Sequence, residues 1–154
     1  MAKTNTVPIP QSYTNLVATL VNATGFSATN PGTAPTNTVL VATSVADDSV
    51  IKSLTISSDD TSARTIQFWI SLDNGTTKYL IGTVVVAALS GTATLTNIDV
   101  LGNSLINGLV QDETGKPVLP LQGAGTPAKI YAGVITAAVT ASKTVWITGS
   151  QVNY

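Results

Sequence analysis

Apolar and polar residues alternate with a period of two along most of the chain, and clusters of Gly, Pro, Asn, Asp and Ser interrupt the alternation. Helical periodicity is hard to find. The pattern predicts strands over 15–22, 37–46, 49–58, 63–72, 77–87, 92–100, 127–136 and 143–152. Thr, Val and Ile dominate them, and these residues suit a pleated, half-buried surface. Strands at this spacing fit a two-sheet sandwich or a closed barrel. The expected fold is all-β: a single-domain antiparallel sandwich, jelly-roll-like, over 15–154. An extended N-terminal arm, 1–14, precedes it and carries Pro8 and Pro10.

Two irregular regions break the strand pattern. Residues 22–36, NATGFSATNPGTAPT, read as a long loop, and a connection of that length inside a compact domain suggests a contact role. Residues 101–126 contain the turn QDETGKP and the segment PVLPLQGAG, where Pro117 and Pro120 argue for a sheet edge over a central strand.

The stretch ISSDDTSARTIQFWISLDNGTTKYLIGT, 56–83, reads as a single hairpin. Ile66, Phe68, Ile70 and Leu72 share one face, which alternation assigns to the core; Thr65, Gln67, Trp69 and Ser71 share the other. Trp69 thus falls on the face expected to be wet, and Trp146 in KTVWITGSQV does the same. Such indoles are expected to be buried against protein, within the domain or between subunits, in preference to stacking on a ligand. The run YLIGTVVVAAL, 79–89, is apolar on both faces, as in a strand covered on both sides, with at least one face sealed by a partner.

Composition narrows the chemistry. A chain of 154 residues needs no covalent staple to hold a core, and it has neither Cys nor His. That removes disulfides, thiol nucleophiles, the commonest metal ligands and every Ser-His or Cys-His pair. No cofactor and no metal are expected. Charged residues make up 10% of the chain with a formal net charge of -1, so no basic footprint for nucleic acid exists. The N-terminus lacks a signal-peptide core and no apolar run is long enough to span a membrane as a helix, which gives the expectation of a protein made in the cytoplasm. Weak surface charge keeps molecules apart poorly, so partner chains are expected to cover part of the surface.

Carboxylate chemistry is what remains, and spacing argues against it. Asp47-Asp48 and Asp59-Asp60 flank a strand whose ends lie on the order of 30 Å apart, whereas paired catalytic carboxylates act over roughly 5 to 10 Å. Asp73, returned by the hairpin, is expected near Asp47 and Asp48, but no calcium-loop spacing accompanies it. Solvated turn caps are the simpler reading for all of them. Asp73-Asn74-Gly75 signals a hairpin turn, and Arg64 is expected to pair with Asp59 or Asp60 at the surface, for at most about 1 kcal/mol. GAGTP, 123–127, lacks the lysine of a phosphate loop. No catalytic residue is assigned.

From residue 51 onward the chain resembles small structural proteins of tailed bacteriophages that are encoded beside the major capsid protein and decorate the head. The resemblance lies in KSLTISSDDTSARTIQFWISLDNGTTKYLIGTVVV (52–86), IDVL (98–101), QDETGKPVLPL (111–121) and AVTASKTVWITGSQVNY (138–154). It implies a β-sandwich virion protein, a homotrimer seated on the capsid where hexons meet, assembled in the host cytoplasm, whose partners are the major capsid protein and itself. The N-terminal third departs from that pattern. Interface candidates are Trp69, Trp146, Pro8, Pro10 and Phe26. The competing expectation is a carbohydrate- or receptor-binding module that stacks sugars on Trp69 and Trp146, with Tyr79 or Tyr131.

Overall fold

A computed structural model describes residues 10, 12–24, 37–45, 48–92, 96–122 and 126–154. The described chain forms ten strands and no helix: β1 Ser12–Val21, β2 Val39–Thr43, β3 Ser49–Ser58, β4 Arg64–Ser71, β5 Tyr79–Val86, β6 Ile98–Asp99, β7 Val110–Gln111, β8 Pro117–Leu121, β9 Lys129–Ile135 and β10 Thr144–Asn153. One sheet runs β1-β10-β3-β8-β7 with β6 also on β3; the other runs β2-β9-β4-β5. Every pairing is antiparallel, and the main pairs nest: β1 with β10, β2 with β9, β3 with β8, β4 with β5. A long hairpin wound onto itself in this way is the jelly-roll sandwich.

Alternation builds the core between the sheets. Leu16, Ala18 and Leu20 of β1 face inward with Val145 and Ile147 of β10; Ile66 and Phe68 of β4 face inward with Ile130, Ala132 and Val134 of β9. Each fully buried Ile, Leu or Phe contributes about 1.5–3 kcal/mol through water exclusion. Strict alternation fails at one place in β3. Ile51 and Leu54 are both fully buried although three positions apart. The register explains it: Ser150 opposes Ser53 and Gln151 opposes Ile51, so Lys52 is an extra residue bulged out of the ladder.

Several expectations change. β1 begins at Ser12, so Ser12, Tyr13 and Thr14 of the expected arm are strand, paired with Asn153, Val152 and Gln151. In place of a strand over 92–100, the described residues there form only the short β6, held by two pairs with β3. The proline-containing β8 lies between β3 and β7 and is not the outermost strand. Its prolines are tolerated because the ladder beside them is short, three residues on β3 and two on β7. The 56–83 stretch is not one hairpin: β3 and β4 belong to different sheets, and only β4 and β5 form a hairpin, turned by Asn74 (φ 62°) and Gly75 (φ 102°). Asp73 is consumed in that turn, accepting from Ser71 Oγ (2.7 Å) and the Thr77 amide (2.8 Å). Those bonds, the Thr77 amide foremost, lower its pKa to about 2.

The apolar run lies in β5, which is not central in its sheet, and the outward face for which a partner is expected is left open by the chain itself. β5 is an edge strand, with Tyr79, Leu80 and Val85 exposed. Its open edge is blocked midway by an isolated bridge from Gly82 to Ile106 and a bond from the Asn107 amide to the Ile81 carbonyl (2.6 Å). Only glycine fits there, since a β-carbon on residue 82 would lie 2.6 Å from the Leu105 carbonyl oxygen and 2.9 Å from the Ile106 α-carbon.

The crossing from β3 to β4 is held by buried charge, not by the surface pair expected. Asp60 is fully buried and Arg64 nearly so. Arg64 Nε donates to Asp60 Oδ2 (2.6 Å) and its Nη2 to Thr140 Oγ1 (2.8 Å). Asp60 also accepts from the Thr140 amide (2.9 Å), Thr140 Oγ1 (2.8 Å) and the Ser62 amide (3.0 Å). Asp59 accepts from the Thr144 amide (2.6 Å). These bonds tie the β3–β4 turn to the turn between β9 and β10, so Asp59 and Asp60 are internal ties and not solvated caps. Burial alone raises the Asp60 pKa, but Arg64, Thr140 and Ser62 together outweigh it and hold the carboxyl well below its ordinary 3.8.

Two outcomes are expected. Gly82→Ala forces backbone apart at the β5 edge and costs about 1–3 kcal/mol, read from the urea midpoint. Because the folded-state pKa of Asp60 is depressed, its contribution is complete well above the ordinary value and is lost as pH falls through and below it. Thermal midpoints should therefore drop on acidification below about pH 4 and drop less in Asp60→Asn, while Arg64→Ala, which strands a buried carboxylate, costs about 3–5 kcal/mol near neutrality.

Candidate functional site

The outward face of the four-stranded sheet carries a continuous apolar row. Leu40 on β2 opposes Tyr131 on β9, Tyr131 opposes Trp69 on β4, and Trp69 opposes Leu80 on β5. Parallel to it, Ile135, Thr65 and Val85 form a second row. Leu40, Leu80 and Val85 are exposed. Lys78 Nζ lies 4.4 Å from the Tyr131 ring centroid and donates to Thr38 Oγ1 (2.9 Å). Burial lowers the Lys78 pKa, and burial followed by the charge of Asp73 raises that of Tyr131.

Trp69 lies on the outward face that alternation assigned it, yet it is only 4% exposed. An indole so enclosed offers no face for a sugar to stack on. Trp146 lies on the outward face of the other sheet, half-buried between Thr19 and Ser57. The two indoles therefore occupy opposite outer faces of the sandwich and do not share a site. Pro10 is exposed, whereas Pro8 and Phe26 lie outside the described residues.

A groove of about 650 Å³ opens on the outward face of the six-stranded sheet, lined by apolar Val50, Val118 and Pro120, by Asp48, Lys52, Asp112 and Glu113, and by Pro10 and Tyr154. The sequence did not point to it, because β3, β7 and the C-terminal residue meet only in the folded sheet. Acidic groups beside a groove invite a catalytic reading, but Asp112 is occupied. It accepts from the Thr114 amide (2.9 Å), Thr114 Oγ1 (2.7 Å), the Lys116 amide (3.1 Å) and Lys52 Nζ (3.3 Å). Those bonds, Thr114 Oγ1 foremost, hold its carboxyl well below the ordinary range, which is opposite to what a general acid requires. Among the described residues no three acidic side chains gather as a metal site.

A second groove, about 330 Å³, lies between β1 and β2 beside Thr14, Leu16, Val17 and Val41. Gln151 reaches into it. Its Nε2 donates to the Thr43 carbonyl (2.9 Å) and Asn153 Oδ1 (2.7 Å), while its buried Oε1 has no partner among the described residues. These groups position strands; none is arranged around a reacting atom.

No protein-family model matches the chain, and no curated protein matches it. Among solved structures it is similar to a chain of Desmodium yellow mottle tymovirus, at 12% identity over 99% of this chain and 89% of that one, with a TM-score of 0.29. It is also similar to a chain in the structure of infectious bursal disease virus, Gt strain, at 15% identity over 93% of this chain and 33% of that one, with a TM-score of 0.30. Likeness at this level carries no argument about what the chain does.

Proposed function

We propose that the chain is a virion structural protein that decorates the head of a tailed bacteriophage, binding several major capsid proteins as a homotrimer assembled in the host cytoplasm. The observation that carries this reading is the set of exposed apolar side chains Leu40, Leu80 and Val85 on the outside of the four-stranded sheet of a stiff jelly roll. Apolar area of this kind outside a closed core suits burial by other chains. Dense pairing and the buried Asp60 tie supply rigidity, and rigid surfaces lose little entropy on docking. The protein acts by binding energy, without turnover. A subunit that touches several capsid proteins at once favours the assembled shell by mass action, and three joined chains add avidity.

Purified protein is expected to raise the disruption temperature of tailed-phage capsids that lack it, and Leu40→Glu with Leu80→Glu to abolish the effect while leaving the fold intact. Sedimentation should give three chains as the unit; a stable monomer at micromolar concentration overturns the reading. Trp146, half-buried beside the hydroxyls of Thr19 and Ser57, supports the glycan-binding alternative, which requires a tryptophan fluorescence change on adding a glycan that Trp146→Ala removes.

A further inference from the structure

The chain contains two Asn-Gly pairs, Asn74-Gly75 and Asn107-Gly108. In such a pair the glycine nitrogen can reach the asparagine side-chain carbonyl, because no β-carbon on the glycine hinders the approach. The fold treats the two pairs differently. Asn74-Gly75 is clamped in the β4–β5 turn: the Gly75 N–H donates to Ser71 Oγ (2.8 Å), the Asn74 carbonyl accepts from Lys129 Nζ (3.3 Å), and the Tyr131 hydroxyl fills the place that a β-carbon on residue 75 would take. A nitrogen held in this way is not free to attack. Asn107-Gly108 is held on one side only. The Asn107 N–H donates to the Ile81 carbonyl (2.6 Å), where the chain plugs the β5 edge, but among the described residues neither the Asn107 side chain nor the Gly108 N–H makes a hydrogen bond. Both residues are exposed. Gly108 has a φ of 84°, and only Leu119 Cδ1, at 3.6 Å, comes near the place that a β-carbon there would take.

We propose that Asn107 is a site of self-modification, in which the Gly108 nitrogen attacks the Asn107 side chain and the isoaspartate that results loosens the plug on β5. The Gly108 nitrogen gives its proton to a solvent base and forms a bond to Cγ of Asn107. The bond from Cγ to Nδ2 breaks, and ammonia leaves with a proton from water, closing a five-membered succinimide ring. Water then opens the ring. Cleavage of the new bond gives aspartate at position 107, whereas cleavage of the old peptide bond leaves the chain running through Cγ, as isoaspartate. No oxidant and no enzyme is needed. The isoaspartate form adds one carbon to the main chain and one carboxylate directly after the Ile106 bridge to Gly82 and the Asn107 bond to Ile81. Loosening there bares the middle of an edge whose Tyr79, Leu80 and Val85 are already exposed, and open edges accept other strands.

The test ages the folded full chain at mildly alkaline pH and then cleaves it after Lys and Arg; Lys78 divides the two pairs between separate peptides. The peptide with Asn107 is expected to gain one dalton, placed at position 107 by fragmentation, and to become a substrate for an isoaspartate methyltransferase, faster as pH rises. The peptide with Asn74 should stay unchanged over the same period, and Ser71→Ala should speed its change. In chain unfolded by urea both positions should change alike. Deuterium uptake over residues 105–109 should rise in the aged chain and stay flat in aged Asn107→Gln. Equal change at both positions in the folded chain, or no change at Asn107 while the unfolded chain changes, overturns the assignment; modification without a rise in uptake overturns the loosening. The readout involves no capsid, so it fails or succeeds independently of the proposed decorating role.

Discussion

Two sheets facing each other across one apolar layer form the constraint on which everything else in this protein depends. Leu16, Ile51, Phe68, Ile130 and Ile147 come from five strands of both sheets and all lie in that layer. Because the chain passes from one sheet to the other between β1 and β2, β2 and β3, and β3 and β4, its crossings must be fixed as firmly as its ladders. The Asp60, Arg64 and Thr140 cluster meets this need with charge. A buried ion pair is poor at adding net stability but costly to disrupt, so it favours one arrangement of the crossing over its alternatives.

Much of this was legible in the sequence, for a physical reason. Period-two alternation depends only on local geometry, so β3 lies at the residues expected, 49–58, and β4, β9 and β10 within one or two positions. What escaped was set by distant partners. Nothing near Asp60 in sequence announces Thr140, eighty positions on, and without it Arg64 reads as a surface cation. The Lys52 bulge hid in plain view: Ile51 and Leu54 are out of phase, and only their common burial shows that the strand absorbs an extra residue. The β5 run, apolar on both faces, reads as a strand covered on both sides, but sequence cannot distinguish cover by its own chain from an edge left greasy for another.

The outer surfaces were partly legible too. Alternation placed Trp69 and Trp146 outward, correctly, but could not tell that the sheets would put them on opposite sides of the molecule or that Trp69 would be enclosed. The groove lined by Lys52, Asp112 and Tyr154 left no sequence signal, because its walls come from separate parts of the chain. Asp73 and Asp112 close turns by accepting amide and hydroxyl bonds, as turn signals in the sequence lead one to expect.

The nesting of the strands also dictates an order of events. β10 lies between β1 and β3, so β1 is cut off from the rest of the first sheet until residues 144–153 have left the ribosome. Until then β1, made before every other described strand, has no ladder to join among the described strands, and its apolar side remains wet. Such distant pairings are slow to form, because a long loop must close before any contact rewards it. The nascent chain thus passes through a stage in which Leu16, Ala18 and Leu20 are open to any extended neighbour.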